Sequence, residues 1–115
     1  MSTTNQPRYD LTQLTDMYGG NMENVKKTVA IFCDQLEKDA IMVKEKFDEN
    51  DLPSVKSFAH RMKPNLKLFG VMDMHELILK IEESSLAGDR EKLGPQLEDL
   101  LTMASEVMQD MKKEI

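Results

Sequence analysis

Apolar residues recur at spacings of three and four along nearly the whole chain, which is the period of one face of an α-helix. The pattern is longest before residue 50, where the apolar positions are Val25, Val29, Phe32, Leu36, Ala40, Val43 and Phe47. Similar patterns follow in three later segments, and no segment has the pattern of a β-strand. The sequence therefore predicts an all-α fold: an antiparallel four-helix bundle with a short additional N-terminal helix over 9–18.

Short polar or glycine-containing segments separate the predicted helices. Gly19-Gly20-Asn21 ends the first, and Asn21 or Asn24 is expected to cap the second. Asn50-Asp51-Leu52-Pro53 closes the second helix and opens the third, with proline suited to a first turn. Gly70 breaks the third pattern, and Gly88-Asp89 divides the last two helices. We expect a flexible lead-in over 1–8 and one domain over 9–115.

Composition excludes several classes of protein. The chain has 115 residues and a net charge of −6, and this acidity argues against nucleic acid as a partner. No apolar run approaches the roughly 18 residues of a membrane span, and the N-terminus lacks the layout of a secretory signal. The starting methionine and complete-looking ends favour a stand-alone protein. We expect a monomer.

The single cysteine, Cys33, excludes an intrachain disulfide framework and favours a reducing, cytoplasmic location. It adjoins the apolar face of its helix, so we interpret it as a small core residue. No cysteine or histidine lies near it at metal-ligand spacing, and the acidic run Asp48–Asp51 lacks the glycine and bidentate glutamate of a calcium loop. We predict no metal site.

The predicted helix over 55–70 has two distinct faces. Its apolar face contains Val55, Phe58, Ala59, Met62, Leu66 and Phe69. A second, narrower face contains Lys56, His60, Lys63 and Lys67. His60 is therefore expected to lie outside, among lysines.

Two interpretations of His60 are open at this point. It is an ordinary surface histidine, or it is a nucleophile. Neighbouring cations favour the neutral imidazole, which has one free lone pair, and they attract an anionic group. Such a nucleophile among cations suits transfer of a phosphoryl group.

The segment Ala59-His60-Arg61-Met62-Lys63-Pro64, continued by Leu68-Phe69-Gly70, resembles the signature of histidine-containing phosphotransfer domains. The resemblance extends to 9–11 with 19–21, and to Ile81-Glu82-Glu83 with Gly88-Asp89. It implies a phosphohistidine phosphocarrier in a two-component phosphorelay, with His60 as phospho-acceptor and Lys63 steadying the phosphoryl oxygens.

The resemblance also implies the partners and their share of the chemistry. The partners would be response-regulator receiver domains, possibly of a hybrid histidine kinase, and they would supply the magnesium and the acidic pocket. The chain itself would need no cofactor and would not be an enzyme in its own right, since it has no glycine-rich phosphate loop. Candidate partner-binding residues are Lys56, Arg61, Pro64, Asn65, Lys67 and Leu68.

One position departs from the family pattern, because Pro64 stands where glycine is usual. Proline cannot donate a hydrogen bond to the His60 carbonyl, so we predict a local kink after His60.

Two further hypotheses come from other classes of protein. The first is a non-catalytic helical adaptor that docks a receiver domain or a partner helix without carrying phosphate. The second, a metal- or haem-binding bundle, needs inward ligands from several helices. An outward His60, with His75 at the edge of its own apolar face, disfavours the second.

Overall fold

The computed structural model describes residues 8–113. Residues 1–7, most of the predicted flexible lead-in, lie outside the described residues, as do residues 114 and 115. The described chain contains five helices: α1 (Thr12–Met17), α2 (Met22–Asp48), α3 (Leu52–Leu68), α4 (Met72–Ala87) and α5 (Arg90–Lys112). The short connections make consecutive long helices antiparallel, and each long helix packs against two others, α2 and α4 both on α3 and α5. The predicted all-α bundle with a short N-terminal helix is confirmed.

The core consists of the apolar positions that the helical spacing predicts. All five helices contribute, with α3 supplying Val55, Ala59, Met62 and Leu66, each at most 3% exposed. Phe69, just past α3, stacks on Phe32 of α2 with ring centroids 4.0 Å apart. Cys33 is buried, as predicted. These contacts fix the inner face of α3 and thereby turn its other face outward.

Side-chain caps set where three of the long helices begin. Asn21, rather than Asn24, accepts a hydrogen bond from the backbone and caps α2. At the start of α3, the Asp51 side chain accepts a hydrogen bond from the backbone N–H of Ser54. At the start of α5, the Asp89 side chain accepts one from the backbone N–H of Lys92. Because each cap satisfies a backbone N–H that has no partner inside its helix, it anchors the first turn.

The segment before α1 is tied to the end of α3. The Asp10 backbone N–H donates to the Phe69 carbonyl at 3.1 Å. Gly70 has φ +67°, and a Cβ built there would lie 2.5 Å from the Asp10 nitrogen. Glycine is therefore required here for two reasons: the backbone is left-handed, and the backbone of Asp10 approaches closely. Arg8 adds ion pairs to Glu106 and Asp110 of α5.

Candidate functional site

His60 lies near the middle of α3 and projects from the bundle, as the helical pattern predicts. Its side chain is 66% exposed. The ring nonetheless has a fixed partner on the neighbouring helix, since Nδ1 lies 2.8 Å from Oε2 of Glu82 on α4. The histidine is thus open to an incoming molecule on one side and held by the protein on the other.

Lys63 lies one turn after His60 and contacts the same carboxylate. Its Nζ is 2.8 Å from Oε1 of Glu82. The side chains of Lys63 and Glu82 are only 22% and 13% exposed, respectively. The two carboxylate oxygens of Glu82 therefore bind two different residues of α3 and join them into one cluster, which we call the His60–Lys63–Glu82 triad.

Glu82 is ionised in this arrangement. Burial acts to raise the pKa of its carboxyl group, but the hydrogen bonds from Lys63 and His60, together with the charge of Lys63, outweigh burial and lower the pKa below its ordinary value. An ionised carboxylate accepts hydrogen bonds and donates none. Nδ1 of His60 must therefore carry a hydrogen, and the lone pair of the neutral ring lies on Nε2.

The triad changes one expectation from the sequence. The helical pattern surrounds His60 with cations alone, and Lys56 and Lys67 are indeed exposed on the same helix. However, the group in direct contact with the imidazole is an anion from α4. The sequence segment Ile81-Glu82-Glu83 carried part of the family resemblance, but nothing in it indicated this role for Glu82.

The predicted partner-binding residues lie on or beside the exposed face of α3. Five of them are exposed: Lys56, Arg61, Pro64, Asn65 and Lys67. Leu68 is the exception, because it is half-buried and packs against the core, so it presents less apolar surface than its position off the apolar face suggested. Arg61 extends over the Phe58 ring, with its guanidinium carbon 5.0 Å from the ring centroid.

A shallow depression of about 330 Å³ opens beside His60, lined by Pro53, Lys56, Ser57, His60 and Arg61. Two of these side chains are cationic, so the depression suits an anionic group that approaches the imidazole. α3 continues as one α-helix through Pro64. The kink that we predict there stays a prediction.

His75 is half-buried near the start of α4, which agrees with its predicted boundary position. Over residues 8–113, no three His, Cys, Asp or Glu side chains are grouped so that they would hold a metal ion. Within the same range, no helix is both long and apolar enough to cross a membrane.

A comparison with family models identifies the relationship. The Hpt domain model matches residues 27–110, which include all of α3 and α4, most of α2 and almost all of α5. Searches of curated proteins and of solved structures gave no match. The matched region covers most of the chain and contains all three residues of the His60–Lys63–Glu82 triad. The chain therefore belongs to the Hpt domain family, whose members transfer phosphoryl groups through a histidine in phosphorelays.

Proposed function

We propose that this protein is a phosphohistidine phosphocarrier of a multistep phosphorelay and that His60 is its phospho-acceptor. The observation that carries the proposal is the exposed imidazole whose Nδ1 is held by the ionised carboxylate of Glu82 at 2.8 Å. This contact places the lone pair on Nε2, the ring nitrogen that does not contact Glu82. A nucleophile held in one orientation loses less entropy when it reacts.

In the forward step, Nε2 of His60 attacks the phosphorus of a receiver's aspartyl phosphate. The new N–P bond forms while the bond from phosphorus to the aspartyl oxygen breaks, and the aspartate leaves as a carboxylate. Positive charge develops on the imidazole as its lone pair is used. The Glu82 carboxylate beside Nδ1–H stabilises that charge, because the two groups are in contact and Glu82 is largely shielded from water.

Lys63 has two roles in this proposal. Its ammonium group holds the Glu82 carboxylate in place through the 2.8 Å ion pair. It also lies one turn from His60, close enough in the helix to neutralise charge on the transferred phosphoryl oxygens. Lysine suits this second role, since its flexible chain and three donors adapt to a moving group.

Receiver domains supply the remaining chemistry. We propose that magnesium and the acidic pocket belong to the receiver, so the chain needs no cofactor and acts as a carrier rather than as an enzyme. Docking uses the exposed residues around the depression and along α3: Lys56, Arg61, Pro64, Asn65 and Lys67. We further propose that the protein acts as a monomer in the cytoplasm, where a lone buried thiol persists without oxidation.

The test is transfer of labelled phosphate from a phosphorylated receiver domain to the purified chain. We expect label on the wild type that is labile in acid and stable in alkali, and none on His60→Gln. His75→Gln is the matched control, because it removes the other histidine and should keep the label. Circular dichroism of both variants checks that the helices are intact.

Label on His60→Gln equal to that on the wild type would overturn the assignment of His60. Absence of label on the wild type with several receivers, one of which still binds, would favour the non-catalytic adaptor instead.

A further inference from the structure

Helix α4 is apolar on two opposite faces. Its inward face consists of Met74, Leu77, Ile78 and Ile81, all of them buried. Its outward face carries Met72, Leu79 and Leu86, which are 46%, 46% and 76% exposed. These three follow one another at intervals of seven residues, so they form one line along the helix. Each residue is rotated by only about 20° around the helix axis from the one before it. We call them the α4 line.

The bundle does not need the α4 line for its own packing. The inward face already fills the core, and the α4 line lies on the opposite side of the helix. Helix α5 provides an internal comparison, because no large hydrophobic side chain on it is exposed over Arg90–Lys112. Single exposed apolar residues are ordinary, but three in line along one helix are the pattern of a surface that receives another helix.

The charges beside the α4 line are mainly negative. Asp73, Glu76 and Glu83 are exposed, and Lys80 is the one exposed cation on the same helix. Within the part of the chain that the structure describes, none of the three acids forms an ion pair. Their charges are therefore available to a partner, and they favour a basic one.

A second copy of this chain fits this surface poorly. If two α4 helices packed along their lines, Glu76 and Glu83 of each copy would lie at the seam, where flanking charges decide which helices pair. Like charges there oppose association. A helix with lysine or arginine at the corresponding positions would instead meet opposite charge along one side of its apolar residues, where Glu76 and Glu83 lie.

We propose that the outward face of α4 binds a basic amphipathic helix of a partner protein, one with aliphatic side chains at seven-residue spacing and lysine or arginine between them. The aliphatic side chains would pack between Met72, Leu79 and Leu86. The basic residues would pair with Glu76 and Glu83. This interaction is separate from phosphoryl transfer, since it uses none of the triad residues.

Fluorescence anisotropy with labelled helical peptides tests the proposal on the full chain. One peptide carries leucine at every seventh position with lysines between, and a second replaces those lysines by glutamate. We expect saturable binding of the lysine peptide and much weaker binding of the glutamate peptide. The double variant Leu79→Gln/Leu86→Gln should weaken binding of the lysine peptide at least about tenfold.

Two controls separate this surface from others. Ile31→Gln removes a comparably exposed aliphatic side chain on α2 and should leave binding unchanged. His60→Gln should also bind normally, which distinguishes this proposal from the proposed function. The charge reversal Glu76→Lys/Glu83→Lys should move the preference to the glutamate peptide.

Three binding results would each overturn the proposal: no saturable binding of the lysine peptide, equal binding of both peptides, or an equal loss with Ile31→Gln. A dimer in sedimentation experiments that Leu79→Gln abolishes would also overturn it, in favour of a second copy as the occupant.

Discussion

The two faces of α3 differ in what they do for the molecule. The inner face, represented by Ala59 and Leu66, is completely buried and packs the bundle. The outer face carries His60, which is two-thirds exposed and contacts the rest of the protein through Glu82. Neighbouring residues on one helix thus serve packing or chemistry, and rarely both. The difference implies that stability and phosphoryl transfer can be changed separately.

The largest effect should come from the inner face. Leu66→Ala removes a fully buried side chain between α3 and its neighbours, and we expect a loss of about 3–5 kcal/mol in the free energy of unfolding. Denaturant titration measures it. Lys67→Ala, the next residue, is exposed and should change stability by less than about 0.5 kcal/mol. Equal losses in the two variants would contradict the division between faces.

Gly70→Ala tests the end of the same helix, which belongs to neither face. Alanine at φ +67° is strained, and its Cβ would lie 2.5 Å from the Asp10 nitrogen, so we expect a loss of about 2–3 kcal/mol in the free energy of unfolding. Gly88→Ala is the matched control, since it has φ +69° with nothing within 4 Å of the added Cβ. It should lose only about 1–2 kcal/mol from strain. Identical losses would mean that the Asp10 contact contributes nothing.

Most of this division could be predicted from the sequence, because helical spacing depends only on neighbours along the chain. The spacing of Val55, Ala59 and Leu66 predicted the buried face, and the same spacing turned His60 outward. A local signal also predicted the cap of α2, with Asn21 chosen over Asn24 only by the structure, whereas the cap that Asp51 provides for α3 was not predicted. The burial of Leu68 was predicted less accurately, because it depends on the segment that packs beside the end of α3.

Glu82 was missed for a related physical reason. It lies 22 residues after His60 in the chain, on another helix. Its contact depends on how far α4 slides and rotates against α3, which is set by the packing of two complete side-chain surfaces. The contact between Arg90 and Asn50, 2.7 Å long and 40 residues apart in sequence, was missed for the same reason. Individual contacts between helices need the three-dimensional structure.

Glu82→Gln sharpens the comparison within the outer face. The amide keeps the shape of the carboxylate but removes the charge that stabilises the developing imidazolium and that pairs with Lys63. We expect about a tenfold slower transfer from a phosphorylated receiver to His60, measured by rapid-quench labelling. Glu83→Gln, the exposed neighbour, should transfer at the wild-type rate. A normal rate in Glu82→Gln would leave Glu82 as a packing residue of α4 only.

The smallest effect concerns acid stability. The folded protein lowers the pKa of Glu82 below the ordinary value of 4.5, so its stabilising contribution is complete above that value and is lost as the pH falls through the lower, folded pKa. The difference in free energy of unfolding between the wild type and Glu82→Gln should therefore shrink when denaturant titrations are repeated from pH 6 towards pH 3. Asp10 and Asp51 also have lowered pKa values from their local hydrogen bonds, but both residues are present in the two proteins, so their contributions cancel in the difference.

A difference that stays constant over this range would mean that the ionised form of Glu82 does not stabilise the junction of α3 and α4. The charge of Glu82 would then matter only for transfer, and the outer face of α3 would contribute chemistry without contributing stability.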